Sequence, residues 1–172
     1  MITQPKLEDR KAQPYVGIRS QIPMQELPMV IPQRIGEVAA WLEQQSVEPD
    51  GPPLVRYHMC PASADMAGML DIAIGWPVAT ALAGNDRIIA DVLPAGRYAS
   101  LVYTGVENGI KGNGALIEWA AAQGIQWDRW DDEKGDAFGG RVEYMLDGPE
   151  DDPNPANWKT EVAIKMADDH SK

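Results

Sequence analysis

An acidic side chain lies in the middle of an alternating segment in the last quarter of the chain. Apolar and polar positions alternate over residues 141–146, a pattern that predicts a strand with two unlike faces. Val142 and Tyr144 form one face, and Glu143 lies on the other face beside Met145. A lone carboxylate among apolar and aromatic groups attracts a lipophilic cation. The alternative is a solvated Glu143, because antiparallel sheets often leave one face in water.

The aromatic residues could supply the walls of such a site. Six tryptophans and five tyrosines accompany a single phenylalanine. Indole faces attract cations by roughly 0.5 to 2 kcal/mol each and stack on flat molecules. Each tryptophan could equally serve ordinary packing, and we favour packing for Trp41 and Trp127. The packing interpretation is weaker for Trp158, which follows an acidic, proline-rich turn.

Several kinds of catalytic or cofactor site are poorly supported. Two histidines and one cysteine are too few ligands for an ordinary zinc site, so we expect no metal. Cys60 and His58 are close in sequence, but no third group that would orient a catalytic dyad is evident. Glycines 105, 109, 112 and 114 do not follow the order of a nucleotide-binding loop, and we expect no cofactor.

Composition and charge narrow the classes of molecule that the protein could bind. The formal net charge is -11, and nucleic-acid binding requires clustered lysine and arginine, so we expect no direct nucleic-acid contact. The apolar runs are too short to cross a membrane, and the N-terminus has no signal-peptide core, which predicts a cytoplasmic protein. We interpret residues 1–172 as one domain. The sequence does not indicate the oligomeric state.

Hydrophobic periodicity predicts the order of the elements. The first 14 residues are polar and predict an irregular start. Strands are predicted at 15–20, 54–59 and 69–74, the last ended by Gly75, and again at 97–103, 141–146 and 159–166. Helices are predicted at 32–45, with Pro32 in the first turn, and at 107–123, with Gly124 as the C-terminal cap. Residues 135–140 are predicted to form a loop.

The two halves share local sequence as well as element order. Residues 54–57 (LVRY) correspond to 141–144 (RVEY), and 71–74 (DIAI) correspond to 161–164 (EVAI). These matches predict an α+β fold of two β-α-β-β units, repeat one at about 15–78 and repeat two at about 92–166. One unit cannot cover both faces of its sheet, so we expect an antiparallel sheet, a pseudo-twofold axis and a central groove.

The repeat alignment makes Arg56 and Glu143 equivalent positions, which predicts that both approach the groove. An ionised carboxylate removed from water needs compensation. Glu143 would therefore pair with Arg56, take up a proton or await a cationic ligand. Asp71 and Glu161 also correspond, and we expect them to be solvated or paired with lysines such as Lys159.

These segments together resemble the GyrI-like small-molecule-binding family, the effector-binding domain also found in AraC-type and MerR-type regulators. The resemblance is carried by Leu93–Tyr98 (LPAGRY), Trp119, residues 141–144 and Trp158–Ile164 (WKTEVAI). It implies a central ligand pocket whose acid matches Glu143 and whose aromatic walls match Trp119 and Trp158. Many relatives carry tyrosines in the pocket, so here Tyr57 or Tyr103 would supply a hydroxyl group.

The leading hypothesis is a binding module that senses or sequesters lipophilic, cationic or aromatic small molecules, including drugs and toxins. Its site would comprise Glu143 as counter-charge, with the walls and neighbours Trp119, Trp158, Trp76, Tyr57, Tyr103, Arg56 and Met145. No helix-turn-helix accompanies the domain, so we do not expect this chain by itself to read DNA.

Two other classes of function remain open. Some family members are credited with hydrolysing cyclopropane-bearing toxins, so a hydrolase would use Glu143 to activate a ring-opening water. The family's gyrase-inhibitor members suggest instead a regulatory module that binds a protein partner through its acidic surface.

Overall fold

A computed structural model describes residues 1–61 and 68–168. Over these residues the chain forms ten strands and two α-helices. In chain order they are β1 (Lys6–Arg10), β2 (Gln13–Pro23), α1 (Leu27–Gln44), β3 (Leu54–Cys60), β4 (Met69–Pro77), β5 (Ile89–Leu93), β6 (Gly96–Thr104), α2 (Gly109–Ala122), β7 (Arg129–Asp132), β8 (Gly135–Phe138), β9 (Arg141–Met145) and β10 (Lys159–Lys165).

The strands form one curled antiparallel sheet that contains the predicted duplication. Its order is β1-β6-β10-β9-β3-β4-β2-β5, and the β7–β8 hairpin attaches to the end of β3. The units β2-α1-β3-β4 and β6-α2-β9-β10 meet where β3 pairs with β9. The α+β fold of two β-α-β-β units is therefore confirmed.

The helix ends show the same duplication in detail. After α2, the Ile125 amide donates to the Ala120 carbonyl at 2.9 Å, and Gly124 has a φ of 71°. After α1, the Val47 amide donates to the Leu42 carbonyl at 3.0 Å, and Ser46 has a φ of 58°. Both ends are Schellman caps, in which a left-handed residue satisfies the last carbonyls of the helix. The cap predicted at Gly124 is observed.

The two units are also joined by a bent ribbon at the edges of the sheet. Lys6 pairs with Ser100 in the β1–β6 ladder, and Gln13 pairs with Leu93 in the β2–β5 ladder. Gln13 follows Lys6 by as many residues as its partner Leu93 precedes Ser100, the partner of Lys6. The same antiparallel register therefore continues through the bend. Strand β1, which precedes the first unit, thus pairs with β6 of the second unit, and β5, which precedes the second unit, pairs with β2 of the first. This exchange of strands curls the sheet.

Four predicted boundaries are wrong. Residues 1–14 are not irregular, since β1 pairs with β6 there and its charged side chains hide the strand pattern. Residues 135–140 contain β8, and β4 continues through Gly75 to Pro77 because β2 pairs along its whole length. Helix α1 begins at Leu27, with Pro28 in its first turn and Pro32 inside it. Pro32 removes one helical hydrogen bond, and the helix tolerates this loss with Val38 and Leu42 buried on its inner side.

The sheet has two unlike faces. On the helix face, α1 packs on β2 and β4, and α2 packs on β6. The largest apolar cluster, here called the central cluster, includes Val55, Ile72, Leu101, Tyr103 and Val162 on this face. On the opposite face, Leu54, Tyr15, Tyr98 and Val142 form a second cluster with residues from both units. Because α1 and α2 cover different flanking strands, the central strands β3 and β9 form the floor between them.

Candidate functional site

Glu143 lies on the helix face, at the centre of the sheet. It pairs with Val55 of β3 on one side and Val162 of β10 on the other. The sequence places Glu143 correctly on the face away from Val142 and Tyr144. The helices, however, cover the face of Glu143 and not the face of those two residues. The Glu143 side chain is partly buried.

Three side chains donate hydrogen bonds to the Glu143 carboxylate, and they come from three separate elements. The Tyr57 hydroxyl of β3 donates to Oε1 at 2.7 Å. The Tyr103 hydroxyl of β6 donates to Oε2 at 2.8 Å, and Asn113 Nδ2 of α2 donates to the same oxygen at 3.1 Å. Both repeats therefore contribute donors to one carboxylate.

Asn113 is a site residue that the sequence does not reveal. Its Nδ2 also donates to the Gly109 carbonyl at 2.9 Å, and its Oδ1 accepts from Arg141 Nη2 at 2.9 Å. The Arg141 guanidinium in turn lies 4.7 Å from the centre of the Phe138 ring. Because Arg141 can only donate, it fixes the amide so that Nδ2 faces Glu143. No sequence motif signals this contact, since a helix residue meets a distant strand.

No lysine, arginine or histidine side chain forms an ion pair with Glu143 among residues 1–61 and 68–168. Its partners are the two phenols and the amide, and the nearby Arg141 binds Asn113 instead. Burial and then the carboxylate raise the pKa of Tyr57 and of Tyr103 well above the usual range of a phenol. Both hydroxyls therefore keep the protons that they donate.

Two predicted neighbours of the acid lie close to these residues. Tyr57, Trp119 and Met145 are partly buried and pack against the central cluster, to which Tyr103 itself belongs. Met145 shares the face of Glu143 on β9, and Trp119 lies on α2. The structure thus brings an acid, two phenols, an indole and a thioether to one side of the sheet. Direct contact of Trp119 or Met145 with a ligand stays a prediction.

The other two predicted tryptophan walls have hydrogen-bond partners of their own, and their contact with a ligand stays a prediction. Trp158 is half-buried, its indole N–H donates to the Asp152 carbonyl at 2.7 Å, and its own carbonyl accepts from the Gly105 amide. It therefore fixes the acidic turn beside the start of α2. Trp76 donates to the Ile35 carbonyl at 2.9 Å and packs in a separate cluster with Val16, Val38 and Leu42. Trp76 lies two residues after Ile74, the β4 partner of Val55, so it is on the same face of the sheet as Glu143.

Arg56 does not approach Glu143, so its predicted place in the groove is wrong and, of the three outcomes expected for Glu143, the ion pair with Arg56 does not occur. Arg56 pairs with Val142 across β3–β9 and therefore points to the opposite face. There it is 8% exposed and donates to the carbonyls of Val92 and Gly139, each at 3.0 Å. The repeat alignment was one residue out at this strand, and a shift of one residue reverses the face of a strand residue.

The opposite face carries Asp71 and Glu161, the two acids that the repeat alignment relates. Arg19 binds Asp71 through two hydrogen bonds of 2.9 Å, and Arg10 binds Glu161 at 3.0 Å. Arginines rather than the expected Lys159 thus neutralise both positions. Across the part of the chain that the structure describes, no group of three or more His, Cys, Asp or Glu side chains is placed to hold a metal ion. No helix in these residues is long and apolar enough to cross a membrane.

Comparison with known proteins supports the same architecture. A family model described as a GyrI-like small molecule binding domain matches residues 3–167. No curated protein matches the sequence. The structure resembles EcmrR in its DNA complex with a TM-score of 0.71 and 14% identity, covering 96% of this chain and 58% of that chain.

Two further solved structures match over nearly their whole length. The EcmrR C-terminal domain has a TM-score of 0.69 and 16% identity, covering 96% of this chain and 98% of that chain. SAV2435, solved with bound tetraphenylphosphonium, has a TM-score of 0.61 and 13% identity, covering 96% of this chain and 94% of that chain. At these identities the likeness establishes the fold.

Proposed function

Because the chain belongs to the GyrI-like small molecule binding domain family, we propose that it binds lipophilic organic cations between α1 and α2, with Glu143 as the counter-charge. Binding of this kind would serve to sense or sequester such molecules. The ligand class and the pocket residues are the new elements of this proposal, since family membership itself supports only small-molecule binding.

One observation carries the proposal: the carboxyl group of Glu143 is partly buried, yet no cation pairs with it in the described part of the chain. A charge withdrawn from water without a counter-ion is costly. The three donors reduce that cost but leave the net charge in place. A bound cation would remove the remaining cost, and surrounding aromatic groups would add attraction of roughly 0.5 to 2 kcal/mol per ring.

The hydrogen bonds to Glu143 favour a particular kind of cation. A carboxylate has about four lone-pair positions, and Tyr57, Tyr103 and Asn113 occupy three of them. A primary ammonium or guanidinium group would compete with these donors for the oxygens. A delocalised or quaternary cation needs no donor position and gains from charge and from apolar contact alone. We therefore expect cations with few N–H groups to bind best.

Tetraphenylphosphonium is a cation of this class and is a suitable probe. The test is a calorimetric titration of the protein with tetraphenylphosphonium and, separately, with triphenylphosphine oxide, an uncharged molecule with similar rings. We expect the cation to bind at least about tenfold more tightly, a difference of about 1.4 kcal/mol. Equal affinity for the two molecules would show that charge plays no part and would refute the proposal.

Hydrolysis of an electrophilic cyclopropane is a second candidate, favoured by the two phenol groups beside Glu143. In that reaction Glu143 would accept a proton from water, the water oxygen would bond to a ring carbon, and a phenol would protonate the carbon that leaves. The three hydrogen bonds to the carboxylate argue against it, because they leave only one lone-pair position for a water molecule. Product formation from a cyclopropane-bearing alkylating agent, lost in Glu143→Gln, would establish catalysis; stoichiometric binding without product would exclude it for that substrate.

A protein-binding role remains a prediction from the net charge of -11. A partner held by charge should be retained in a pull-down at low salt and lost at high salt, because screening weakens exposed charge pairs. Retention at both salt concentrations would contradict a charge-driven contact.

A further inference from the structure

Arg141 shares the face of Glu143 on β9 but is bound to other groups. The two residues are two positions apart on the strand, so their side chains leave the sheet about 7 Å apart. Both side chains are partly buried. A planar guanidinium fits a carboxylate through two parallel hydrogen bonds, and an arginine side chain is long enough to span this separation. The strand therefore carries a potential internal counter-ion for Glu143.

Two contacts hold the Arg141 guanidinium where it is. Its Nη2 donates to Asn113 Oδ1 at 2.9 Å, and its Cζ lies 4.7 Å from the centre of the Phe138 ring, within the range of a cation–π contact. Phe138 is buried in the central cluster, so packing fixes its ring. The guanidinium is thus held by β8 and α2 and not by Glu143.

One amide group separates the guanidinium from the carboxylate. Asn113 Nδ2 donates to Glu143 Oε2 at 3.1 Å, while Oδ1 of the same amide accepts from Arg141. Nδ2 also donates to the Gly109 carbonyl, so both of its hydrogens are used. Turning the amide over would place Oδ1 against the carboxylate and Nδ2 against the guanidinium, and both contacts would be repulsive. Asn113 therefore has one stable orientation, and in it the amide fills the space that an ion pair would need.

We propose that Asn113 is a positioning residue that keeps Arg141 off Glu143 and so leaves the acid available to a cationic ligand, an inference that rests on the proposed function. Without the amide, the guanidinium would bind Glu143 as an internal counter-ion. A ligand would then have to displace it, and its apparent affinity would fall by the fraction of protein in which Glu143 is free. Asn113 acts here through Arg141 and need not contact the ligand.

The test is a double-mutant cycle of Asn113→Leu and Arg141→Met, measured by calorimetric titration of the full-length protein with tetraphenylphosphonium. Leucine is close to asparagine in size but cannot bind a guanidinium. We expect Asn113→Leu to lose about tenfold in affinity, as occupation of Glu143 by Arg141 for about nine-tenths of the time would give. Arg141→Met alone, and the double variant, should remain within about threefold of the unaltered protein.

Recovery of affinity in the double variant is the decisive outcome. If Asn113 only stabilised the local structure, a second substitution beside it would not restore binding. A double variant as weak as Asn113→Leu would therefore overturn the proposal, and so would full affinity in Asn113→Leu itself. Urea denaturation of each variant would verify that the proteins compared are folded.

Asn113→Asp gives a second comparison that does not depend on leucine. An ionised aspartate at this position also donates nothing to Glu143, but it retains Arg141 by charge. Its affinity for tetraphenylphosphonium should be no lower than about a third of that of the unaltered protein. A tenfold loss in this variant would count against the role of Asn113. Failure of the proposed function would look different, because the unaltered protein would then bind tetraphenylphosphonium and triphenylphosphine oxide equally.

Discussion

The ring of Tyr103 packs directly against Gly112 of α2. A β-carbon at position 112 would lie 2.6 Å from Cδ2 of the ring and 2.9 Å from Cγ. These distances are far shorter than normal carbon contacts, so the helix can approach β6 only because residue 112 has no side chain. The close approach brings Asn113 and Tyr103 to the same carboxylate oxygen of Glu143. Gly112 thus serves the packing of α2 on β6.

Replacing Gly112 with alanine should therefore disturb the site through packing alone. The added methyl group must move Tyr103 or α2, which should lower the free energy of unfolding by about 1–3 kcal/mol and weaken tetraphenylphosphonium binding. Urea denaturation and calorimetry would measure the two effects. Gly114→Ala is the matched control, because nothing lies within 4 Å of a β-carbon there. That variant should gain up to about 1 kcal/mol of stability from helix propensity and keep its affinity.

Arg56 should be important for stability and unimportant for cation binding. Its guanidinium donates to the Val92 and Gly139 carbonyls, tying the bent ribbon to the turn before β9. Arg56→Met would leave these acceptors without their donor and should lower the free energy of unfolding by about 2–4 kcal/mol. The affinity of the folded protein for tetraphenylphosphonium should change less than twofold. A large loss of affinity with little loss of stability would restore the sequence-based placement of Arg56 beside Glu143.

The stability of the protein should fall below neutral pH in part through His58. Burial, and then the positive charges of Arg56 and Arg19, lower the pKa of His58 to about 4, with Asp71 and Asp91 opposing them. The unfolded chain, with a histidine pKa of about 6.5, binds more protons between these values, so acid favours unfolding. This contribution is complete above about pH 6.5 and is lost as the pH falls towards 4.

The size of the His58 effect should be up to about 2–3 kcal/mol. Urea denaturation at several pH values between 7 and 4 would measure it, with His58→Gln as the comparison. The variant should lose less stability than the unaltered protein over this range. Parallel curves for the two proteins would show that His58 does not resist protonation in the folded state.

The sequence predicts the order of the elements and the general position of the acid. The alternation of apolar and polar residues identifies β9 and places Glu143 and Val142 on opposite faces of that strand. The repeated sequence identifies the two units. These features depend on neighbouring residues, so a local pattern carries them. The strands β1 and β5 escape detection because they are short, charged or exposed and gain their order from pairing with the other repeat.

The sequence does not predict which distant side chains meet at the site. Arg56 was assigned to the wrong face because an alignment error of one residue reverses every side chain of a strand. Trp76, a predicted pocket wall, packs in a cluster separate from that of Tyr103, and composition does not show where an indole will pack. Asn113 was missed because its contact with Glu143 depends on how closely α2 approaches the sheet.

The most direct test of the central claim is the affinity of Glu143→Gln for tetraphenylphosphonium, measured by calorimetry beside Glu161→Gln. The glutamine keeps the size of Glu143 and removes its charge, and Glu161 is an acid of the opposite face that pairs with Arg10. We predict at least about a tenfold loss for Glu143→Gln, or about 1.4 kcal/mol, and less than a twofold change for Glu161→Gln. Unchanged affinity in a folded Glu143→Gln protein would contradict the account.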